Sequence, residues 1–483
     1  MYSRRDALFL FAAVLPGVVV GCGGDAEGTD TPTSPGTGTG ADTGTPTGLQ
    51  TFDPDSVPES VTRFPRTPIS GDMTATRVTI AFHVADDSPV TLRLWLGEEL
   101  LVDQAVQPSG DGFHKVHIDD LTPGTTYHYG VFSGAAPTFT DRSLIGQVRT
   151  APADDDAPVV RFALLSCIGQ GTILPDYYQP DDAPIPTLEP FQWEMFPQVA
   201  EHDVDALVHL GDQAYLDYVW SNQEGTEADY LHAWGYYHGG GYRDLYPRAG
   251  LYATRDDHEV TNNGDFDPWG TTPEDDAKIA GAHAAWFKAM PIDADTVGPV
   301  WRAFRWGQTV ELVLLDCRYE LDGVHQVSEE QLLFLLDRIE NSPCRFVCVA
   351  TPKPFADIFE WTGIGNDNDE RWANFPDDRV RVTELIDRLE ARHVMFVCGD
   401  IHMNYLGRVT IDGTSIADTR SEVCVTSGNI NPSYLTMPDE QFEYVSAEPS
   451  FPVLTFDPAA GTVHVAFYLS DGSLGYEQTL TDM

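Results

Sequence analysis

The chain contains the segments VVRFALLSC (159–167), ALVHLGDQAY (206–215), LYATRDDHE (251–259) and HVMFVCGDIH (393–402), which decide its fold. Each segment includes a short aliphatic run of the kind found in strands buried on both faces. Amphipathic stretches such as SEEQLLFLLDRIENS (328–342) lie between such runs. The alternation predicts an α/β domain, and we expect its functional groups at the carboxyl ends of the strands.

The ends of these predicted strands carry side chains that bind metal ions. The candidate ligands are Cys167, Asp212, Tyr215, Asp257, Asp400 and His402. Carboxylates gathered at one sheet edge repel one another unless cations neutralise them, so the pattern predicts a site for two metal ions. A thiolate and a phenolate suit a trivalent or transition metal, whereas carboxylates alone suit calcium or magnesium. His258 directly follows a candidate ligand and is the candidate general acid.

The ordered motifs SC, GDxxY, DDHEVxNN, LDxR and GDxH resemble those of the PhoD-like family of alkaline phosphatases and phosphodiesterases. The resemblance spans residues 67–480 and implies an α/β fold, a four-layer α-β-β-α metallophosphoesterase sandwich. A small all-β domain, similar to fibronectin type III or immunoglobulin domains, is expected to precede it. The resemblance also implies metal-dependent hydrolysis of phosphate esters, in which a metal-bound hydroxide attacks phosphorus and His258 protonates the leaving group.

The same resemblance implies how the metal ions are held. The residues expected around Fe³⁺ are Cys167, Asp212, Tyr215 and His402. Asp212 is expected to bridge to Ca²⁺, which Asp257 and Asp400 help to hold. Mn²⁺ or Zn²⁺ in an ordinary two-metal site is the alternative.

The substrate pocket departs from the family pattern more than the metal ligands do. Arg255 stands where the family has Trp, and it either contacts the substrate phosphate or forms an ion pair with one of the many acids. Arg318 either supports the site through Asp316 or contacts phosphate. Asn263 is either a turn residue or a contact to phosphate or metal. Asp217 takes the place of the family's Glu after GDxxY, at a shifted position.

Two further polar residues lie close to the predicted ligands in sequence. His209, inside the strand segment VHLGD, is interpreted as a core histidine with a satisfied hydrogen bond. Asp256 either ligates a metal or orients the neighbouring ligands.

Residues 67–152 alternate polar and apolar residues with a period of two, which predicts strands joined by Gly and Pro turns. The segment LTPGTTYHYGVF (121–132) resembles the end of a fibronectin type III-like domain, in which a tyrosine ties down a corner. Tyr127 or Tyr129 is the candidate for that role. Residues 153–483 are then the metallophosphatase domain.

The first 22 residues are predicted to be a targeting segment. Arg4 and Arg5 precede an apolar run of about a dozen residues, which is too short to span a bilayer. The sequence around the two arginines resembles a twin-arginine export signal, and VVGC (19–22) resembles a bacterial lipobox. We therefore expect export to the cell envelope and a lipid anchor at Cys22; a plain secretory signal with an incidental cysteine is the alternative. Residues 23–66 are predicted to be a flexible linker.

The composition limits the partners of the protein. With 28 basic and 75 acidic residues, the formal net charge is −47, which excludes nucleic acid as the main partner and excludes an anionic membrane surface. The six cysteines after Cys22 have no CxxC spacing, and most lie in apolar runs where a reduced thiol is buried.

Two functions of different classes fit these features. The first is a monomeric, metal-dependent phosphoesterase that acts on a small phosphate ester or phosphodiester. The second is a non-catalytic binding or adhesion protein displayed on the cell surface, in which the phosphatase fold is inactive. The ordered ligand set favours the enzyme, because an inactive fold has little reason to keep a thiol and a phenol at matching strand ends.

Overall fold

Two β-sheets packed face to face form the centre of the computed structural model. The structure describes residues 53–135, 138–169, 195–262, 272–294, 297–356, 371–389, 393–411, 414–415, 421–428 and 441–481. These residues belong to one unit, Gln50–Met483. The predicted signal segment, most of the linker and Asn263 lie outside the described residues.

The described residues form 23 strands. In chain order they are β1 (Ile69–Gly71), β2 (Val78–His83), β3 (Val90–Leu96), β4 (Glu99–Val106), β5 (Phe113–Ile118), β6 (Thr126–Ala135), β7 (Thr138–Arg142), β8 (Gly146–Arg149), β9 (Val160–Leu165), β10 (Ala206–His209), β11 (Gly250–Ala253), β12 (Arg302–Trp306), β13 (Val310–Leu314), β14 (Phe346–Ala350), β15 (His393–Cys398), β16 (Asn404–Arg408), β17 (Thr410–Ile411), β18 (Thr414–Ser415), β19 (Ser421–Cys424), β20 (Phe442–Ser446), β21 (Ser450–Asp457), β22 (Thr462–Leu469) and β23 (Leu474–Leu480).

The same residues form seven α-helices and three short 3-10 helices. The α-helices are α1 (Met195–Glu201), α2 (Asp217–Asn222), α3 (Glu227–Gly239), α4 (Tyr242–Leu245), α5 (Pro273–Ala289), α6 (Glu329–Asn341) and α7 (Pro376–Arg388). The 3-10 helices are Pro54–Ser56, Asp257–Glu259 and Trp372–Asn374.

Parallel strands occupy the middle of both large sheets. The first sheet has nine strands in the order β23-β22-β21-β9-β10-β11-β1-β2-β5, and β9, β10 and β11 are parallel. The second has seven strands in the order β12-β13-β14-β15-β19-β16-β20, and β13, β14, β15 and β19 are parallel. Successive strands of the parallel parts therefore end at a common edge of each sheet.

The apolar runs are buried on both faces because each strand lies between two hydrophobic layers. In β9, Phe162 and Leu164 belong to the core between the sheets, whereas Ala163 and Leu165 belong to the layer under the helices. Helices α1, α3, α4 and α5 contribute to that outer layer, and α6 and α7 cover the second sheet. The predicted four-layer α-β-β-α arrangement is therefore confirmed.

The N-terminal region is all β within the described residues, as expected. Strands β3, β4, β6 and β7 form a five-stranded sheet together with β8, which pairs with β6. Strands β1, β2 and β5 instead extend the nine-stranded sheet, because β1 pairs in parallel with β11. The sheet thus runs across residue 152, and the domain boundary there stays a prediction. The Tyr127 hydroxyl accepts a hydrogen bond from the Thr122 N–H at 2.8 Å, which suits the predicted corner tyrosine.

No helix in the described part of the chain has the length and apolar character needed to cross a lipid bilayer.

An ion pair between Asp72 and Arg302 joins the two large sheets. Asp72 follows β1 and its side chain is 1% exposed, while Arg302 begins β12. The guanidinium donates through Nε and Nη2 to the carboxylate at 2.8 to 3.1 Å, and Nη2 also donates to the Ala253 carbonyl. Removal of the arginine would leave a buried carboxylate without its cation.

We expect Arg302→Ala to lower the free energy of unfolding by about 3 kcal/mol, because it strands the buried Asp72 charge. Arg305→Ala is the matched control on the same strand. Its ion pair with Asp154 is exposed, so its loss should cost less than about 1 kcal/mol. Urea unfolding followed by circular dichroism measures both changes, and equal losses in the two variants would contradict the role assigned to Arg302.

Candidate metal centre

The predicted ligands come together because the parallel strands that precede them end in register. Leu165, His209 and Ala253 are aligned across β9, β10 and β11. The chain then leaves each strand and places Cys167, Asp212 and Asp257 within a few residues of that line. Strand β15 of the second sheet brings Asp400 and His402 to the same place, and these groups form contiguous clusters.

The backbone at the candidate ligands is left-handed at four positions. The φ angles are +48° at Cys167, +55° at Asp212, +71° at Asp400 and +54° at His402. Such angles are unfavourable for residues with a Cβ, by roughly 1–3 kcal/mol each, and persist only where the surroundings enforce them. The chain thus holds these side chains at the site against a local backbone preference.

The tight turn before Asp212 also requires a glycine. Gly211 has a φ of +107°, and a Cβ at this position would lie 2.6 Å from the backbone nitrogen of Asp256. This close approach brings the loops after β10 and β11 into contact.

The first group of ligand atoms contains sulfur, oxygen and nitrogen. Ligand atoms of Cys167, Asp212 and His402 all lie within 4.8 Å of one another. Tyr215 joins this group because its hydroxyl lies 3.1 Å from Asp212 Oδ2 and 3.3 Å from His402 Nε2. The Asp400 N–H donates to Cys167 Sγ at 3.1 Å, which orients the sulfur. These are the four residues that the family resemblance implies around one metal ion.

The second part of the site is dominated by carboxylates. Asp212, Asp257 and His258 form one group of possible ligands, and Asp256, Asp257 and Asp400 form another. Asp212 is shared between the thiol-containing group and the first of these, so its position suits a carboxylate that bridges two ions.

The electrostatics of the two groups call for added positive charge. Burial and the charges of Asp257 and Asp256 raise the pKa of Asp212 well above its ordinary value, although His258 acts against them. Burial and the charge of Asp212 likewise raise the pKa of the Cys167 thiol. Metal cations would reverse both shifts, since they favour the carboxylate and the thiolate. The donor set and its burial therefore fit bound metal ions.

Arg318 lies directly among the acids of the second part. Its guanidinium is fully buried, and its Nε donates to Asp256. Its Nη2 lies 3.4 Å from Asp257 Oδ1 and 3.2 Å from Asp400 Oδ1. Arg318 thus supports the site through these carboxylates, and its contact with Asp316 is a backbone N–H donated to Oδ1.

Arg255 is directed away from the candidate ligands. Its guanidinium is fully buried, pairs with Asp316 at 2.8 Å and donates to His283 Nδ1 and the Gly298 carbonyl. It also packs over the Tyr319 ring. A contact between Arg255 and the substrate phosphate is therefore not supported, because the guanidinium already binds these protein groups in the core.

His258 is held by a carboxylate and by an aromatic ring. Its Nδ1 lies 2.8 Å from Asp217 Oδ2, and its ring stacks on Tyr215 with the centroids 3.8 Å apart. Burial alone would lower the pKa of His258, but the charges of Asp217, Asp257 and Asp212 outweigh it and raise the pKa. Asp217, the acid at the shifted position after GDxxY, therefore orients His258, the candidate general acid.

Known proteins share this architecture. A model of the PhoD-like phosphatase family matches residues 189–457, just over half of the chain. The chain belongs to the PhoD-like phosphatase family. Alkaline phosphatase D of Bacillus subtilis (strain 168) is 23% identical over 347 residues, which cover 62% of this chain and 55% of that protein. The chain thus spans about half the length of this curated relative.

Two solved structures share the fold of this PhoD-like chain. The structure of PhoD has a TM-score of 0.70 and 18% identity, and the match covers 87% of this chain and 89% of that one. Purple acid phosphatase PPD1 from yellow lupin (Lupinus luteus) seeds has a TM-score of 0.61 and 14% identity, with 86% and 75% covered. A phosphatase family of this kind implies metal cofactors, and the clustered donors agree with that.

Glu259 has a role in this PhoD-like site that was not predicted from the sequence. Its buried carboxyl group accepts the backbone N–H groups of Asp212, Gln213 and Asp256 at 2.6 to 3.1 Å. Burial raises the pKa of Glu259 to about 8 in spite of these bonds. Glu259 therefore joins the loops after β10 and β11. The capping-box spacing from Asp256 to Glu259 was the available signal.

His209 is the buried core histidine that the sequence predicted, with a hydrogen bond at Nε2 and, among the described residues, no partner at Nδ1. It is fully buried in β10, and its Nε2 lies 2.9 Å from the Tyr242 hydroxyl, which donates to the Gln213 carbonyl. Burial lowers the pKa of His209 to about 3. The ring therefore stays neutral in the folded protein and supports the loop that carries Asp212.

We expect His209 to make stability fall as the pH is lowered below 6.5. The unfolded chain binds a proton on this ring near pH 6.5, whereas the folded protein does not until about pH 3. Unfolding therefore takes up a proton between these values, and the contribution of His209 falls by about 2 kcal/mol from pH 7 to pH 5.

Urea unfolding at several pH values tests this expectation. His209→Gln should be less stable than the wild type at pH 7 but should lose less stability on acidification. His464→Gln, at the partly exposed pair with Glu477, is the control and should keep the wild-type slope. Parallel pH curves for the wild type and His209→Gln would contradict the prediction.

Proposed function

We propose that this PhoD-like protein is a metal-dependent phosphoesterase that hydrolyses small phosphate esters or diesters. The observation that carries the proposal is the convergence of a thiol, a phenol, an imidazole and a carboxylate at Cys167, Tyr215, His402 and Asp212. These four groups come from the ends of three strands, β9, β10 and β15, and meet in one site. Such a mixed donor set has little structural use without a metal ion.

We assign two ions to the two parts of the site. Fe³⁺ would be held by Cys167, Asp212, Tyr215 and His402. Ca²⁺ would be held by Asp212, Asp257 and Asp400, with Mn²⁺ or Zn²⁺ as alternatives in an ordinary two-metal site. When bound, the ions supply Lewis acidity that activates the attacking water and stabilises the charge that develops on the phosphate oxygens.

His258 is the proposed proton donor to the leaving oxygen. The Nδ1–H of His258 donates a hydrogen bond to the Asp217 carboxylate, which favours the protonated imidazole and leaves Nε2 directed away from Asp217. Stacking on Tyr215 fixes the plane of the ring. Asp217 therefore acts as a positioning residue, because it sets the tautomer and orientation of the imidazole.

Arg318 sets the charge of the second part of the site. Its positive charge is shared among Asp256, Asp257 and Asp400. Because Arg318 lies closest to Asp256, the carboxylates of Asp257 and Asp400 keep more of their negative charge for a cation. The arginine is fully buried, so we assign it this positioning role in place of the tentative phosphate contact.

We expect His258→Ala to lower kcat/KM by at least about 10²-fold, because a general acid contributes roughly 10²–10⁴-fold. Asp217→Asn should lower kcat by about 10²-fold, since an amide does not hold the protonated imidazole. The assay is hydrolysis of bis-p-nitrophenyl phosphate and p-nitrophenyl phosphate by protein supplied with iron and calcium. The ratio of the two rates also reports the preference for diester or monoester.

His232→Ala is the control for this assay, because His232 lies exposed on α3 and should not affect the rate. Metal content is measured for every variant. If His258→Ala loses metal, His258 is a ligand and not the acid. If metal-loaded wild-type protein hydrolyses no ester, the alternative of a non-catalytic surface-displayed protein is favoured.

Tyr215→Phe tests the proposed iron ligand independently of activity. An iron–phenolate bond gives a visible charge-transfer band, so the iron-loaded wild type should be coloured and Tyr215→Phe should lose the band. Tyr236→Phe removes a hydroxyl that contacts His232 on α3 and should keep the colour. A band that survives in Tyr215→Phe would reject the tyrosine as a ligand.

We also propose that residues 1–22 are a twin-arginine lipoprotein signal and that the mature protein is anchored in the cell envelope through Cys22. The motifs around Arg4, Arg5 and Cys22 support this location. Labelling of cells with a fatty-acid analogue should mark the wild type and not Cys22→Ser. Equal labelling of the two proteins would contradict the anchor.

A further inference from the structure

A buried arginine outside the metal centre lies beside a small cavity. Arg66 is 8% exposed and packs against α3, where its Nη2 donates to the Leu231 carbonyl. Its guanidinium also lies over the Phe113 ring, 4.7 Å from the centroid. Among the described residues, no carboxylate is paired with Arg66 and no group accepts a hydrogen bond from its Nη1.

The cavity beside Arg66 has a volume of about 10 Å³. Two histidines that line it, His83 and His238, each have a buried nitrogen without a hydrogen-bond partner in the described part of the chain. The rest of the lining includes Lys288, which pairs with Asp111 and Glu227, and apolar residues such as Ile69 and Phe82. The volume is about that needed for one water-sized particle.

The charge at this cavity is positive. Burial lowers the pKa of Arg66 to about 9, so the guanidinium stays charged at neutral pH. Burial and the charge of Arg66 lower the pKa of His83 to about 4 and that of His238 well below its ordinary value. Both imidazoles are therefore neutral. Each carries one N–H, and the tautomer decides which ring nitrogen donates it to the cavity.

The acids near the cavity bind groups other than Arg66. Asp111 pairs with Lys288 and accepts the Phe113 N–H. Asp87 accepts the N–H groups of Ser109 and Gly110. Neither carboxylate affects the pKa of Arg66, which is set by burial alone. A buried charge without a counter-ion is unfavourable, so the cavity favours a negatively charged occupant over a neutral one.

We propose that the cavity lined by Arg66, His83 and His238 binds a monatomic halide anion, chloride in the cell. A halide is the smallest of the common anions, so it suits so small a cavity better than phosphate, sulfate or a carboxylate does. The positive charge and the N–H donors exclude a cation. A halide is a pure acceptor and can satisfy Nη1 of Arg66 together with an imidazole N–H.

The anion would connect the N-terminal segment to α3. Thr67 already donates its N–H to the His238 carbonyl, and Arg66 contacts Leu231 on the same helix. The helix also carries Tyr237, whose hydroxyl accepts the Tyr215 N–H. The halide site therefore lies behind the helix that holds the Tyr215 backbone.

Anomalous diffraction tests the site in the wild-type protein. A crystal of the protein soaked in sodium bromide should show a bromide peak within hydrogen-bond distance of Arg66 Nη1. The proposal is overturned if ordered bromide appears elsewhere in the crystal while the cavity shows no anomalous signal, since the occupant is then water.

Thermal unfolding of the full chain tests the same site in solution. Replacing about 0.5 M sodium methanesulfonate, whose anion is too large for the cavity, by sodium chloride should raise the Tm by roughly 2–4 °C. Arg66→Gln should lose this difference. Arg63→Gln, three residues earlier at the partly exposed pair with Asp86, should keep it.

Each outcome decides the proposal. A bromide peak with a chloride-dependent Tm that requires Arg66 supports it. A bromide peak without any chloride effect on the wild-type Tm shows binding at crystal concentration only and overturns it. If Arg66→Gln does not fold, the wild-type diffraction and Tm measurements still decide between halide and water.

Discussion

Carboxylate crowding at the carboxyl ends of the parallel strands is the constraint on which the rest of this protein depends. Asp212, Asp256, Asp257 and Asp400 meet in one site, where burial and the charges of Asp257 and Asp256 raise the pKa of Asp212. Among the described residues, the Arg318 guanidinium contacts three of them. The remaining negative charge is the reason why the site fits cations, and the proposed hydrolysis of a phosphoester requires cations at this place.

The rigidity of the site comes from the sheets and not from the loops that carry the ligands. Left-handed backbone at four candidate ligands is unfavourable by itself, so the pairing of β9 with β10 in one sheet, and of β15 with its neighbours in the other, must hold the loops in place. Glu259 assists by accepting N–H groups from two loops, and Tyr237 does the same at the Tyr215 backbone. The positions of the metal ligands are thus set before any metal binds.

Much of this arrangement could be predicted from the chain alone. Strand ends are readable because apolar runs stop at Cys167, Asp212 and Asp400, and parallel strands bring such ends together. The direction in which an arginine side chain points cannot be predicted in this way. Arg255 and Arg318 both neighbour the ligands, yet one turns to Asp316 in the core and the other turns to the acids of the site.

The pairing of β1 with β11 was also beyond the sequence pattern. Three-residue strands such as β1 carry almost no periodicity, and alternation indicates a strand without indicating its neighbour. The same limit explains why the sandwich could be predicted and the extension of its first sheet could not. Local patterns specify elements, whereas long-range packing selects their partners.

The distance in sequence between the ligands has a consequence for how the protein acquires its cofactors. Cys167 and Asp400, which touch through a hydrogen bond, are 233 residues apart in the chain. A growing chain therefore has no complete binding site until both sheets have assembled, and capture of metal comes late in folding. The compartment in which folding finishes, and the metal ions available there, would determine which ions the protein carries.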